Sequence, residues 1–217
     1  SDFIKNIISN LSLKPTESVL DLGCGNGRHS TSLSNHFELV HGIDISSENI
    51  LLAKENKKEN LKFFISDMRN FDTKTQYGYI FNLFTSFGYF KKNEDNINVL
   101  KSCFNHLNKN GLLFIDFLNS EKIKTTINGL KEMKNISGIK FNIHKQIVDD
   151  YVVKNIEIKD GDATYNFQEK VQLFTIEDFK KMFERSGFEI LSSFGDYQMN
   201  PYDSKSSRLI LCAKKIS

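Results

Sequence analysis

Two prolines in 217 residues leave little to interrupt helices or strands, and tryptophan is absent. Cysteine is scarce: Cys24, Cys103 and Cys212 stand far apart and form no CxxC pair, which excludes a zinc knuckle and a disulfide framework. No metal site is expected, and a reducing cytoplasm suits that cysteine usage. Net charge is nearly missing too, with 29 basic against 27 acidic residues, so no overall field gathers nucleic acid or an anionic membrane surface. No apolar run approaches the roughly 20 residues of a membrane-spanning helix, and the N-terminus lacks the basic-then-apolar layout of a signal peptide. The chain opens on Ser1 rather than methionine, as a processed or trimmed polypeptide would. Linkers, repeats and low-complexity tracts are also lacking, which argues for a single domain over residues 1–217.

What is present is a globular balance, 39% hydrophobic and 26% charged. Phe3, Ile4, Ile7, Ile8 and Leu11 fall on one helical face, and Lys14-Pro15-Thr16 ends that helix. Apolar strand patterns at 19–22, 39–43, 62–65, 79–84 and 112–117 then alternate with helical patterns after Gly27, at 47–57 and at 95–107. Such alternation predicts a parallel sheet with right-handed crossovers. After Asn119 the period changes to two: Ile139, Phe141 and Ile143, then Tyr165, Phe167 and Val171, alternate with polar residues. Asp149-Asp150 and Asp160-Gly161 supply turns, so residues 138–174 read as an inserted antiparallel sheet. Thr175-x-x-Asp178 resembles an N-terminal cap for a helix carrying Phe179, Met182 and Phe183 and ending at Gly187. Two further strands, 188–191 and 209–213, finish the chain.

The segment richest in chemistry is Val19-Leu20-Asp21-Leu22-Gly23-Cys24-Gly25-Asn26-Gly27, a buried strand entering a glycine turn and then a helix. Backbone in such a turn can approach a ligand closely, and the first helical amides favour an anion. A dinucleotide fingerprint has glycines at offsets one, three and six; counted from Gly23 the last position is Arg28, which disfavours a pyrophosphate. Asp44 ends the second strand, where a carboxylate accepts from a ribose diol or caps the next helix. Asp67, followed by Met68, sits beyond the third strand, suited to an adenine amino group and its ring, or to a turn.

In order along the chain, these residues resemble the class I S-adenosylmethionine-dependent methyltransferases. Asp21 to Gly27 match that family's first motif, Gly42-Ile43-Asp44-Ile45-Ser46 its second, and Ser66-Asp67-Met68 its adenine-contacting turn; Asn110-Gly111 stands where the family usually has Pro-Gly-Gly. The resemblance implies a doubly wound, mostly parallel seven-stranded α/β sheet, Rossmann-like, with the last strand antiparallel. It implies S-adenosylmethionine as cofactor, with Asp21 and Arg28 near the methionine portion, Gly23, Gly25 and Gly27 giving backbone access, and Asp44 holding the ribose. Cys24, Asn26, Ile45, Asp67, Met68 and Leu83 complete the expected cofactor-binding set.

Methyl transfer needs an acceptor lone pair aligned behind the sulfonium–methyl bond, and no obligatory catalytic side chain; none is assigned. Residues 82–90, after the fourth strand, lie at the carboxyl edge where ligands of open α/β sheets bind. Phe87, Tyr89, Asn119, Tyr197 and Tyr202 are the candidate acceptor-contacting residues, and His29 alone among the histidines is close to the cofactor turn. The expected partner is a small-molecule methyl acceptor under a lid formed by residues 138–174. A protein or RNA methyltransferase and a cofactor-binding regulator without turnover stay open as alternatives. Nucleic acid is disfavoured because 82–90 lacks the Asp/Asn-Pro-Pro-aromatic signature.

Overall fold

The computed structural model describes residues 2–56, 58–127 and 129–216. Helix α1 (Asp2–Asn10) buries Phe3, Ile4 and Ile7, the stripe its 3.6-residue period requires. Strand β1 (Ser18–Leu22), α2 (Arg28–Leu33), β2 (Leu39–Asp44), α3 (Ser47–Ala53), β3 (Leu61–Ile65), β4 (Tyr77–Asn82), α4 (Asn93–His106) and β5 (Leu107–Leu118) follow. After α5 (Ser120–Thr126) come β6 (Leu130–Ile136), β7 (Ile139–Val148), β8 (Tyr151–Asp160) and β9 (Ala163–Gln172), then α6 (Ile176–Arg185), β10 (Phe188–Phe194) and β11 (Arg208–Lys215).

The main sheet has seven strands in the order β10-β11-β5-β4-β1-β2-β3, parallel except for β11, which runs antiparallel to both neighbours. Helices α1, α2 and α3 cover one face through Ile4, Leu33 and Ile50; α4 and α6 cover the other through Leu100 and Phe179. Every residue of β4 is buried, as a central strand covered on both faces demands. Chain order reverses between β1 and β4, and that switch point opens a crevice at the carboxyl ends of the strands. Among the described residues, no helix is long and apolar enough to cross a membrane.

A second sheet, β6-β7-β8-β9, is wholly antiparallel. Ile143, Ile156 and Phe167 stand opposite one another, as do Phe141, Ile158 and Tyr165, so the expected apolar face exists. The cap of α6 is a full capping box: Thr175 accepts from the Asp178 backbone and Asp178 returns the bond.

Several boundaries differ from expectation. The inserted sheet starts at Leu130 rather than Gly138, because β6 reads Leu-Lys-Glu-Met-Lys-Asn-Ile and its cross-strand charges hide the period of two. Helix α3 stops at Ala53; Lys57, the last residue expected in it, lies outside the described residues. Strand β4 ends at Asn82, two residues early, since Phe84 and Thr85 turn into the left-handed region at φ 56° and 63°.

Candidate active site

Strand β1 delivers the glycine turn to the crevice. The Gly23 and Cys24 amides both donate to the Ile43 carbonyl at 2.9 Å, which fastens the turn to the end of β2. A Cβ on Gly23, at φ 78°, would lie 2.8 Å from Ser86 Cβ, so only glycine lets the turn meet the loop after β4. A Cβ on Gly25 would meet nothing within 4 Å, so its backbone faces open space. Its amide donates to Asp44 Oδ2 at 2.8 Å, while Asp44 Oδ1 accepts from the Ser46 amide at 2.9 Å. Asp44 therefore joins the turn to the start of α3, and each of its oxygens keeps a lone pair for a further donor.

A cavity of about 530 Å³ lies here, walled by Gly23, Gly25, Ile43, Asp44, Ile45, Asn49, Ser66, Asp67 and Met68 and by the β4 loop from Phe84 to Ser86 with Tyr89 and Phe90. Six of the twelve expected cofactor residues line it: Gly23, Gly25, Asp44, Ile45, Asp67 and Met68. Asp21, Cys24, Gly27 and Leu83 are buried around it, whereas Asn26 and Arg28 are exposed beside the turn. Asn49, in the first turn of α3, was not anticipated; its position five residues past Asp44 at the same helix start was the available signal.

Burial raises the Asp21 pKa to about 6, even though Ser30 Oγ donates to its carboxylate at 2.6 Å. Burial likewise pushes the Cys24 thiol upward, leaving it a packing residue and not a nucleophile. Asp67 has a strong partner already: the Arg69 guanidinium and amide both donate to it, and Arg69 reaches on to Asp95 at 3.3 Å and lies over the Phe90 ring at 5.3 Å. An adenine amino group at Asp67 would share a carboxylate that first of all orients Arg69.

Behind the cavity a second cluster fixes the β4 loop. Asp116, fully buried on β5, accepts from Arg208 Nε at 2.7 Å and from the Phe84 amide at 2.9 Å, and its carbonyl accepts from the Thr85 amide. Arg208 Nη2 also donates to Thr85 Oγ1 at 2.8 Å, and the Tyr197 hydroxyl to Asp116 Oδ2 at 3.3 Å. Two consecutive left-handed non-glycine residues cost about 1–3 kcal/mol each, and this network holds them in place. The Phe84 ring, so displayed, stacks on His29 at 4.2 Å and meets Phe3 and Tyr197. Burial, then the neighbouring Arg28 cation, lowers the His29 pKa to about 4, so its ring is neutral at pH 7.

The acceptor candidates separate in space. Tyr89 lines the cavity, and Tyr197 reaches its back wall through Phe84. Phe87 is fully buried among Phe174 and Phe179, and Asn119 is fully buried while capping α5 and bonding the carbonyls of Asp203, Ser204 and Ser206. Both are scaffold with no surface to offer an acceptor, a correction that follows from their burial. Tyr202 donates to Asn119 Oδ1 and supports the same corner.

Comparison with known proteins gives the family and the fold. The family model of the methyltransferase domain matches residues 13–187, which is most of the chain. The chain belongs to that family. It is a class I, S-adenosylmethionine-dependent methyltransferase. YqeM of Bacillus subtilis (strain 168), which carries the name of a methyltransferase, is 26% identical over 208 residues, 91% of this chain and 83% of its own. An S-adenosylmethionine-dependent methyltransferase from Clostridium acetobutylicum ATCC 824 superposes with a TM-score of 0.87 at 20% identity, over 100% of this chain and 90% of that one. The amino pentose methyltransferase CalS10 of Micromonospora echinaspora, solved with its cofactor, superposes with a TM-score of 0.73 at 17% identity, over 99% and 92%. The residues of this methyltransferase fit the cofactor on their own terms: an open face at Gly25, spare acceptor capacity on Asp44, and Met68 beside Asp67 in one cavity.

Proposed function

We propose that this methyltransferase modifies a small-molecule acceptor held between the β4 loop and the inserted antiparallel sheet, which acts as a lid. One observation carries the reading: the sheet is bonded to the β4 loop, whose residues on either side of the bond wall the cavity. The Gln172 amide at the end of β9 donates to the Gly88 carbonyl at 2.9 Å, one residue from Tyr89. Burial raises the Tyr89 pKa, and the nearby Glu169 carboxylate on β9 adds to it. Glu169 shares a sheet face with Phe167, Tyr165 and Val171, since side chains two apart in a strand point the same way. In this reading the apolar face of the insertion, which carries Glu169, turns toward the cavity mouth and would exclude water there.

Bound S-adenosylmethionine supplies an electrophilic methyl group on a sulfonium. Around it, Asp44 would receive the ribose diol, Gly23 and Gly25 would give the methionine portion backbone access, and Met68 with Ile45 would cover the adenine. Buried Asp21 would face the ammonium, and the Phe84 and Tyr89 rings would offer π-faces to a cationic centre. With Asp116 and Arg208 engaged in holding the β4 loop, the chain's contribution to rate is placement and dehydration of the acceptor.

The test has two arms. S-adenosylmethionine, but not NAD, should raise the melting temperature, with about 2.7 kcal/mol of stabilisation at a hundredfold excess over Kd. A panel of small amines, alcohols and carboxylates should then include acceptors that yield S-adenosylhomocysteine. Turnover on protein or RNA alone would sink the small-molecule reading while leaving the cofactor assignment intact.

A further inference from the structure

Strand β6 is an edge of the inserted sheet and, among the described residues, pairs only with β7. An edge strand presents unpaired N–H and C=O groups, and another strand can complete them. Six of its seven residues are exposed, among them Met133 at 86% and Ile136 at 57%. Ser137 and Gly138, at φ 53° and 88°, form a two-residue hairpin loop between Ile136 and Ile139. Such a loop closes on a hydrogen-bonded pair, so by alternation Glu132, Lys134 and Ile136 turn their backbone groups to β7. Lys131, Met133 and Asn135 turn theirs outward.

We propose that β6 pairs antiparallel with β6 of a second copy, with the two-fold axis at Met133, forming a continuous eight-stranded sheet. The sequence selects this register over its neighbours. Centred on Met133, Glu132 of each copy stands opposite Lys134 of the other, Leu130 opposite Ile136, and Lys131 opposite Asn135. Shifting the axis to residue 131, 132 or 134 sets Lys against Lys, Glu against Glu or Lys against Lys at the centre, and like charges directly opposite are unfavourable. The outward-facing backbone of Met133 also makes it a hydrogen-bonded centre. Glu132 is held ready on that face by Lys145 and Lys134 of its own chain. A two-fold contact of this kind is self-complementary and closed, as a stable dimer requires.

Sedimentation velocity of the full chain over roughly 1–100 μM should show a monomer–dimer equilibrium, the range suited to a small interface. Lys134→Glu, which leaves the Glu132–Lys145 pair in place, sets Glu opposite Glu twice and should weaken dimerisation about tenfold or more. Glu132→Lys alone should do the same. An equimolar mixture of the two variants should recover a heterodimer, because each supplies the charge the other lacks. Met133→Pro, tolerated at an edge, should abolish the dimer by removing the central donor. Circular dichroism and S-adenosylmethionine binding report that each variant is folded. A wild-type monomer throughout that range would overturn the proposal, and so would a dimer that neither charge reversal nor the mixture alters.

Discussion

Replacing Arg208 with methionine tests the network behind the β4 loop most severely. The substitution keeps an unbranched stem and removes the guanidinium that lies 2.7 Å from a fully buried carboxylate. Burial already raises the Asp116 pKa, and Arg208 is the largest opposing influence. Without it Asp116 must either stay charged and unpaired, which costs about 3–5 kcal/mol, or take up a proton. Protonation sets a ceiling: from an ordinary pKa of 3.8 the penalty is about 4 kcal/mol at pH 7 and falls by about 1.4 kcal/mol per pH unit, to below 2 at pH 5. The sign follows from linkage. A carboxyl whose folded pKa lies above its unfolded value stabilises the fold when protonated, and that contribution is lost as pH rises through the window between the two values. In the variant the window extends toward neutrality, so its deficit against wild type grows from pH 5 to pH 7. Urea denaturation at pH 5, 6 and 7 measures this directly, and the double variant Asp116→Asn, Arg208→Met should show no such widening. The Phe84–Thr85 turn loses its Arg208 bond and is left anchored on an Asp116 that no longer has its ion partner, so turnover should fall more than S-adenosylmethionine affinity. An equal deficit at pH 5 and pH 7, or one below about 1 kcal/mol at pH 7, would refute the reasoning, since a buried ion pair cannot lose one partner so cheaply.

Asp44→Ala should weaken S-adenosylmethionine binding by about 1.5–3 kcal/mol in calorimetry, the scale for hydrogen bonds to a charged acceptor, with the sheet still folded. Burial raises the Asp21 pKa to about 6, so cofactor affinity should decline as pH drops below about 6, and an Asp21→Asn variant should lose that slope in the same titration. Because that pKa is raised, the apo protein should also lose the proton-linked stability of Asp21 as pH climbs from about 4 to about 6, a trend absent in the asparagine variant. Phe167→Ser and Tyr165→Ser, each on a half-exposed ring of the inserted sheet, should lower turnover while Kd for S-adenosylmethionine and the melting temperature stay near wild type.

The carboxyl ends of β1, β2 and β3 were legible because each is a short apolar run with a glycine or an acid at its end or within two residues of it, and such a stop is local chemistry. Gly23, Gly25, Asp44, Asp67 and Met68 accordingly meet in one cavity. The path after β4 was not legible for the opposite reason. Asn82-Leu83-Phe84 continues the apolar pattern, and nothing within it ends a strand. What ends it is the Asp116 carboxylate, 32 residues away, which draws the Phe84 amide out of the ladder, with Arg208, 123 residues from Thr85, fixing the hydroxyl beside it. The same remoteness explains Phe87 and Asn119: both carry functional chemistry by type, yet α6 packs over the first and the 203–206 turn closes over the second. Strand β6 was hidden because its charges sit where apolar residues would have marked the period, and those charges are the feature that makes its edge self-complementary. Local pattern therefore reports which strand ends meet in the cavity. The shape of the β4 loop is written in long-range pairs, and Asp116–Arg208 is the pair whose removal should separate cofactor binding from turnover.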